Sequence, residues 1–177
     1  MSVLPLTYIG NPILRKKARP VRGGDPELAR LARDMIETLH EENGIGLAAP
    51  QVGASVAVIV FDLSTPEARI DPVVLLNPRV VETCTPEIQD LEEGCLSVPG
   101  LRHVVQRPAC ITVEGYNIEG RRVLIEKAEG MLARVLQHEI DHLNGLFFLD
   151  GLGEPERLKI ADEIKRIEKE TKRSGKK

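Results

Sequence analysis

Tryptophan is absent from this 177-residue chain, and aromatic residues make up only 3% of it. Its core must therefore be aliphatic, built from Val, Leu, Ile and Ala. Few rings remain to form a stacking platform for single-stranded nucleic acid. A basic excess is missing too: 24 Lys and Arg stand against 27 Asp and Glu, a net charge of -3. Nucleic-acid binders carry the opposite balance, so no direct sequence-specific nucleic-acid binding is expected. The basic ending Lys172-Arg173-Ser174-Gly175-Lys176-Lys177 is short and reads as a solvated terminus. No apolar run reaches about 18 residues, so no transmembrane helix and no membrane partner are expected. Met1-Ser2-Val3-Leu4-Pro5 lacks the charged and apolar regions of a secretory signal. Cys84, Cys95 and Cys110 are too few for a disulfide framework. An odd count without a signal fits a reducing cytoplasm, and a cytoplasmic location is the expectation. At least one thiol is then free to act as a ligand.

What is present suits one domain, taken as residues 1–170 with a basic tail over 171–177. Apolar residues are 42% and charged residues 29%, ordinary for a globular chain. Asp25-Pro26-Glu27 starts a helix: Asp caps, Pro suits the first turn, and Glu favours the positive dipole end. Leu28, Leu31, Met35 and Leu39 recur at helical spacing, and Asn43-Gly44 stops it. Val56 to Phe61 is a β-branched strand. Val73 to Leu76 and Val80-Val81 predict another, interrupted at Pro78. Ile111 to Val113 and Arg122 to Ile125 predict a hairpin around Asn117 and Gly120. A helix runs from Gly130 to Asn144 and ends at Gly145. A last amphipathic helix follows Pro155, with Leu158, Ala161, Ile164 and Ile167 on its inner face. Strands fall in a block between helices, which favours an α+β fold over a doubly wound sheet.

His138-Glu139-Ile140-Asp141-His142 carries the chemistry. Residues four apart on a helix lie about 40° apart on one face. Two imidazoles so placed can reach one ion at about 2.0–2.1 Å. Glu139 projects to the side, where it can handle protons beside a metal-bound water without being a ligand. The third ligand has three candidate sources. The metzincin spacing falls on Phe148, which cannot bind. Glu163, on the next helix, suits a zinc-peptidase pattern. Cys95, in Glu93-Gly94-Cys95-Leu96-Ser97, offers a thiolate that suits a borderline-soft metal. Composition alone leaves Glu163 and Cys95 both open. Cys84 and Cys110 read as small buried hydrophobes.

Three motifs in order make the chain resemble peptide deformylase. They are Gly44-Ile45-Gly46-Leu47-Ala48-Ala49-Pro50-Gln51, Glu93-Gly94-Cys95-Leu96-Ser97, and Gln137-His138-Glu139-Ile140-Asp141-His142-Leu143. The resemblance runs from Pro12-Ile13-Leu14 to the final helix. It implies a central metal-binding helix packed against antiparallel strands, with N-terminal and C-terminal helices. It implies removal of the N-formyl group from formyl-methionyl nascent peptides, with release of formate. Such N-terminal processing belongs to protein biosynthesis. Carried over, Cys95, His138 and His142 are the metal ligands. One divalent ion is implied, Fe(II) in the cell, with Zn(II), Ni(II) or Co(II) able to occupy the site. Glu139 is the proton carrier, and the Gln51 amide and Leu96 N–H are the oxyanion donors. Gly44, Ile45, Gly46 and Gly94 become substrate-chain contacts, and Ile45 with Val135 lines the pocket for the first side chain. Arg102 is a candidate peptide contact. Arg134 sits one turn before His138, where its guanidinium is expected to fold over the pocket rim. A substrate emerging from the ribosome implies a transient ribosomal contact, with the last helix and tail as its surface.

Overall fold

The computed structural model describes residues 2–173, the side chain of Lys172 excepted. Of the tail expected over 171–177, residues 174–177 lie outside the described residues.

Among the described residues three α-helices and seven strands alternate in blocks: α1 (Pro26–Glu41), β1 (Gly46–Ala48), β2 (Val58–Phe61), β3 (Val73–Thr83), β4 (Ile88–Cys95), β5 (Val98–Pro108), β6 (Cys110–Tyr116), β7 (Arg122–Glu129), α2 (Gly130–Leu143) and α3 (Glu154–Arg173). Five strands form one antiparallel sheet in the order β1-β2-β3-β6-β7, and β4 pairs only with β5. The fold is α+β, as the block arrangement implies. Among the described residues no helix is long and apolar enough to cross a membrane.

Strand periodicity explains how the sheet serves two cores. Ile59 and Phe61 pack in the cluster that contains Leu136 and Ile140 of α2. Val58 and Val60 pack instead with Leu28, Met35 and Leu39 of α1. Alternate side chains point to opposite faces, so β2 is buried on both. The α2 helix thus lies on one face of the sheet and α1 on the other. A third cluster joins Val98, Leu101 and Val105 of β5 to Phe147, Phe148 and Ile167. That cluster fixes the β4–β5 hairpin and α3 to the end of α2.

Local signals set most boundaries. Asp25 accepts a hydrogen bond from the Glu27 N–H and caps α1. Helix α2 ends at Asn144, and Gly145 follows at φ 76°. A Cβ there would stand 2.7 Å from the Arg15 main chain, so only glycine fits.

Three expectations change. β3 runs through Pro78 without a break. A register shift between Leu76 and Arg79 forms a bulge with Asn77 at φ 50°, which removes the need for a Pro78 N–H. The Asn77 side chain pins this bulge to the main chain of Val21. The β4–β5 hairpin has no counterpart in the sequence reading. Leu158 does not face inward: it is 69% exposed, and Ile160 joins Ile164 and Ile167 against the core.

Candidate metal centre

Helical spacing brings the two imidazoles together first. The His138 and His142 rings lie one turn apart on α2, centroids 5.0 Å apart. The third group arrives from the hairpin. A register shift after Gly94 pairs Cys95 with Val98 at the tip of β4, and this tip lies against α2. Cys95 Sγ stands 3.1 Å from His142 Nε2. One ligand atom each from Cys95, His138 and His142 lies within 4.8 Å of the others. A sulfur and two imidazole nitrogens form a donor set suited to a divalent transition metal.

The orientation of His138 is fixed from behind. Its Nδ1 donates to Glu93 Oε2 at 2.8 Å, which directs Nε2 into the site. Glu93 also accepts from Arg107 Nε at 2.6 Å, Arg107 Nη2 at 3.0 Å and Arg134 Nη1 at 2.8 Å. Arg107 Nη1 donates to Asp141 Oδ2 at 2.7 Å. Burial pushes the Glu93 carboxyl up, but the hydrogen bonds from His138, Arg107 and Arg134 outweigh it. They hold the group well below the usual carboxylate range.

Glu139 has the opposite setting. It is 3% exposed, and no group among the described residues bonds its Oε2. Burial pushes its carboxyl up to about 7. Strand β1 passes directly over it: a Cβ on Gly46 would stand 2.5 Å from Glu139 Oε1 and from Val135 Cγ2. Glycine at 46 therefore reflects close approach to the site.

Gln51 lies in a short 3-10 turn after β1. Its Oε1 accepts from the Ala48 N–H at 2.7 Å, and its Nε2 faces Cys95 Sγ at 3.5 Å. The amide is thus anchored by its oxygen with its donor end toward the Cys95 sulfur. Leu96 occupies the turn between β4 and β5, immediately after Cys95.

A cleft of about 590 Å³ opens over these groups. Every expected site residue except His142 lines it, including Gly44, Ile45, Gly46, Gly94 and Val135. Arg102 sits at the rim, paired with Glu92 at 2.7 Å and 63% exposed. Arg134 corrects its expectation. Its guanidinium does not lie over the rim but is 5% exposed, turned inward to Glu93 and two hairpin carbonyls. Glu163 stands apart: it projects from α3, pairs with Arg166 at 3.2 Å, and does not join the metal-ligand group. The zinc-peptidase alternative is therefore not favoured.

Glu93, Arg107 and Asp141 belong to the site without having been singled out by motif or spacing. Glu93 and Asp141 had a signal, since both fall inside quoted motifs. Arg107 had none, being a lone cation on an unrecognised strand.

The family model described as polypeptide deformylase matches residues 3–158. The chain belongs to the polypeptide deformylase family. A peptide deformylase of Desulforudis audaxviator (strain MP104C) is 47% identical over 150 residues, covering 85% of this chain and 94% of that one. A peptide deformylase of Rhizobium meliloti (strain 1021) is 42% identical over 175 residues, covering 99% and 98%. A class I type b peptide deformylase from Acinetobacter baumannii, solved with Met-Ala-Ser bound, superposes with a TM-score of 0.79 at 38% identity. That alignment covers 86% of this chain and all of the other. Deformylases are metal-dependent hydrolases, and Cys95, His138 and His142 form a group that could hold a metal ion.

Proposed function

We propose that this chain removes the N-formyl group from the terminal formyl-methionine of new polypeptides and releases formate. The observation that carries the reading is one constellation. A sulfur and two imidazoles converge beneath a cleft, and a buried carboxylate oxygen with no partner among the described residues stands beside them. The Acinetobacter relative holds a peptide with an N-terminal methionine, the product expected from such a reaction.

Cys95, His138 and His142 are the ligands in this proposal, and Fe(II) is the cellular ion, with Zn(II), Ni(II) or Co(II) as substitutes. A divalent ion held there supplies a Lewis acid and acidifies the neighbouring water. The remaining work falls to side chains. Glu139 takes a proton from the attacking water and returns it to the leaving amine. Burial raises the Glu139 carboxyl above its ordinary value, which suits a group that takes a proton and then gives it back. Gln51 Nε2 and the Leu96 N–H donate to the oxyanion that develops on the formyl carbonyl. The amide of Gln51 reaches this role already oriented through Ala48. β1 is the edge strand of its sheet, and Gly44, Ile45 and Gly46 line the cleft. An extended peptide can therefore add alongside by main-chain hydrogen bonds. Gly94 and Arg102 contact the peptide farther along, and Val135 flanks its first side chain.

Residues 1–170 form the catalytic domain in this reading, and the protein works in the cytoplasm. A transient ribosomal contact through α3 and the tail completes it. Deleting residues 171–177 without changing ribosome pelleting excludes the tail. The activity itself is tested with formyl-Met-Ala-Ser in the presence of Fe(II), Ni(II) or Co(II). Formate release is expected, and a folded, metal-loaded sample releasing none ends the proposal.

A further inference from the structure

Cys84 and Cys110 face each other across two strands, outside the metal-ligand group. Strands β3 and β6 pair Thr83 with Ile111, and the next rung sets Cys84 opposite Cys110. The Cys84 N–H donates to the Cys110 carbonyl at 3.0 Å, in step with that register. Residues opposite each other in such a pair lie about 5.5 Å apart at Cα, and a disulfide spans about 4.4–6.8 Å. Directly opposite side chains share one face of the sheet, and the two thiols bond to each other. Both are free. Cys84 is half-buried, its Sγ 3.4 Å from Thr112 Oγ1, whereas Cys110 is 5% exposed.

The pair stands where the β4–β5 hairpin leaves the five-stranded sheet. Cys84 closely precedes β4, and Cys110 closely follows β5. Just inside them the Ala109 N–H donates to the Glu87 carbonyl at 2.9 Å. The hairpin pairs with no other strand among the described residues. A bond between the two sulfurs would close residues 85–109 into a ring that carries Glu93, Cys95 and Arg107. In a reducing compartment such a pair stays as thiols, and its disulfide forms transiently under oxidation.

We propose that Cys84 and Cys110 form a thiol–disulfide exchange site, which a small disulfide of the glutathione class oxidises to a cross-strand bond at the base of the β4–β5 hairpin. This goes beyond the deformylase reading and does not rest on it. Cys84 is the more exposed thiol and reacts first. Its thiolate attacks one sulfur of the small disulfide, whose S–S bond breaks and releases one thiolate. Cys84 then carries the other half as a mixed disulfide. Bonding to Cys84, burial and the nearby Glu129 push the Cys110 thiol up to about 11. The mixed disulfide removes the Cys84 charge and so eases release of the Cys110 proton. The Cys110 sulfur then attacks that of Cys84, and the second small thiolate leaves. The two cysteines give up two electrons and two protons, and one small disulfide becomes two thiols.

The test incubates zinc-loaded protein with an excess of glutathione disulfide over glutathione. Remaining thiols are then blocked with iodoacetamide, and the peptides are mapped by mass spectrometry. The expected product is a peptide pair joined through Cys84 and Cys110, lighter by two hydrogens and separated again by dithiothreitol. Cys110→Ser is expected to retain one glutathionyl group on Cys84. Recovery of Cys84 and Cys110 as unmodified thiols overturns the proposal. So does a linkage through Cys95, or a glutathionyl group left on Cys84 of the native protein without a bond to Cys110. Should Cys110→Ser fail to fold, the native map decides alone. Closing residues 85–109 into a ring should also raise Tm by roughly 5–15 °C. An oxidised form that melts at or below the reduced one overturns the fit of the bond to the native register.

Discussion

Replacing Glu93 by Gln removes one negative charge where four N–H donors converge: two from Arg107, one from Arg134 and one from His138. The side chains of Glu93, Arg107 and Arg134 are 3%, 10% and 5% exposed, so water cannot replace the lost carboxylate. Glutamine keeps one acceptor oxygen, but its NH2 would face other donors. Arg107 retains Asp141 at 2.7 Å, whereas Arg134 keeps only main-chain carbonyls. Breaking a buried ion pair costs about 3–5 kcal/mol, and the surviving Asp141 bond places this case near 3. For a chain of this length each kcal/mol moves Tm by about 2–4 °C. Glu93→Gln should therefore melt roughly 6–12 °C below native, by calorimetry in the presence of chelator. Because His138 loses the carboxylate that orients it, metal affinity should also fall by about 10–100-fold. The pH dependence has a definite sign. The Glu93 carboxyl is held below its ordinary value of 4.5. Its contribution is thus complete above pH 4.5 and is lost as pH falls through the depressed value. The gap between native and variant should close only in strong acid. A variant melting within 2 °C of native at neutral pH, on the scale set by about 2–4 °C per kcal/mol, refutes the view that this network is an energetic support.

Three further outcomes follow from the site. Glu139→Gln should keep its metal by elemental analysis yet lose about 10²–10⁴-fold in kcat; normal turnover removes Glu139 from the chemistry. Gln51→Leu should lower kcat by about 10²–10³-fold with little change in KM, and an effect confined to KM would make Gln51 a binding residue instead. Gly46→Ala forces a methyl to within 2.5 Å of Glu139 Oε1. Displacing that carboxylate should cost about 10²-fold in kcat at unchanged metal content, and wild-type rates would show that β1 yields freely.

How much the sequence reveals depends on how local each signal is. The imidazole pair is legible because His138 and His142 are related by the helix period alone. The α1 cap at Asp25 and the β6–β7 hairpin are local too. Cys95 is different: it reaches His142 only because the β4–β5 hairpin packs, through Val98, Leu101 and Val105, against Phe147 and Phe148 in the segment that follows α2. No spacing rule expresses that docking, so the residue pattern alone leaves Glu163 open, whereas the fold sets it apart on α3 beside Arg166. The hairpin was hidden by its own composition. Asp90, Glu92, Glu93 and Gly94 on β4 are types depleted in strands. With β4 unrecognised, Arg107 had no visible partner, and Arg134 was expected at the rim because the buried carboxylate that draws it inward was not seen. At Pro78, a bulge supplied the freedom that a regular ladder would have denied.

X-ray absorption on zinc-loaded protein tests the central assignment most directly, since it counts ligand types at the ion without reference to activity. The account predicts one sulfur at about 2.3 Å and two imidazole nitrogens at about 2.0–2.1 Å, with the sulfur lost in Cys95→Ser and kept in Glu163→Gln. A first shell of nitrogen and oxygen alone in the native protein would contradict it.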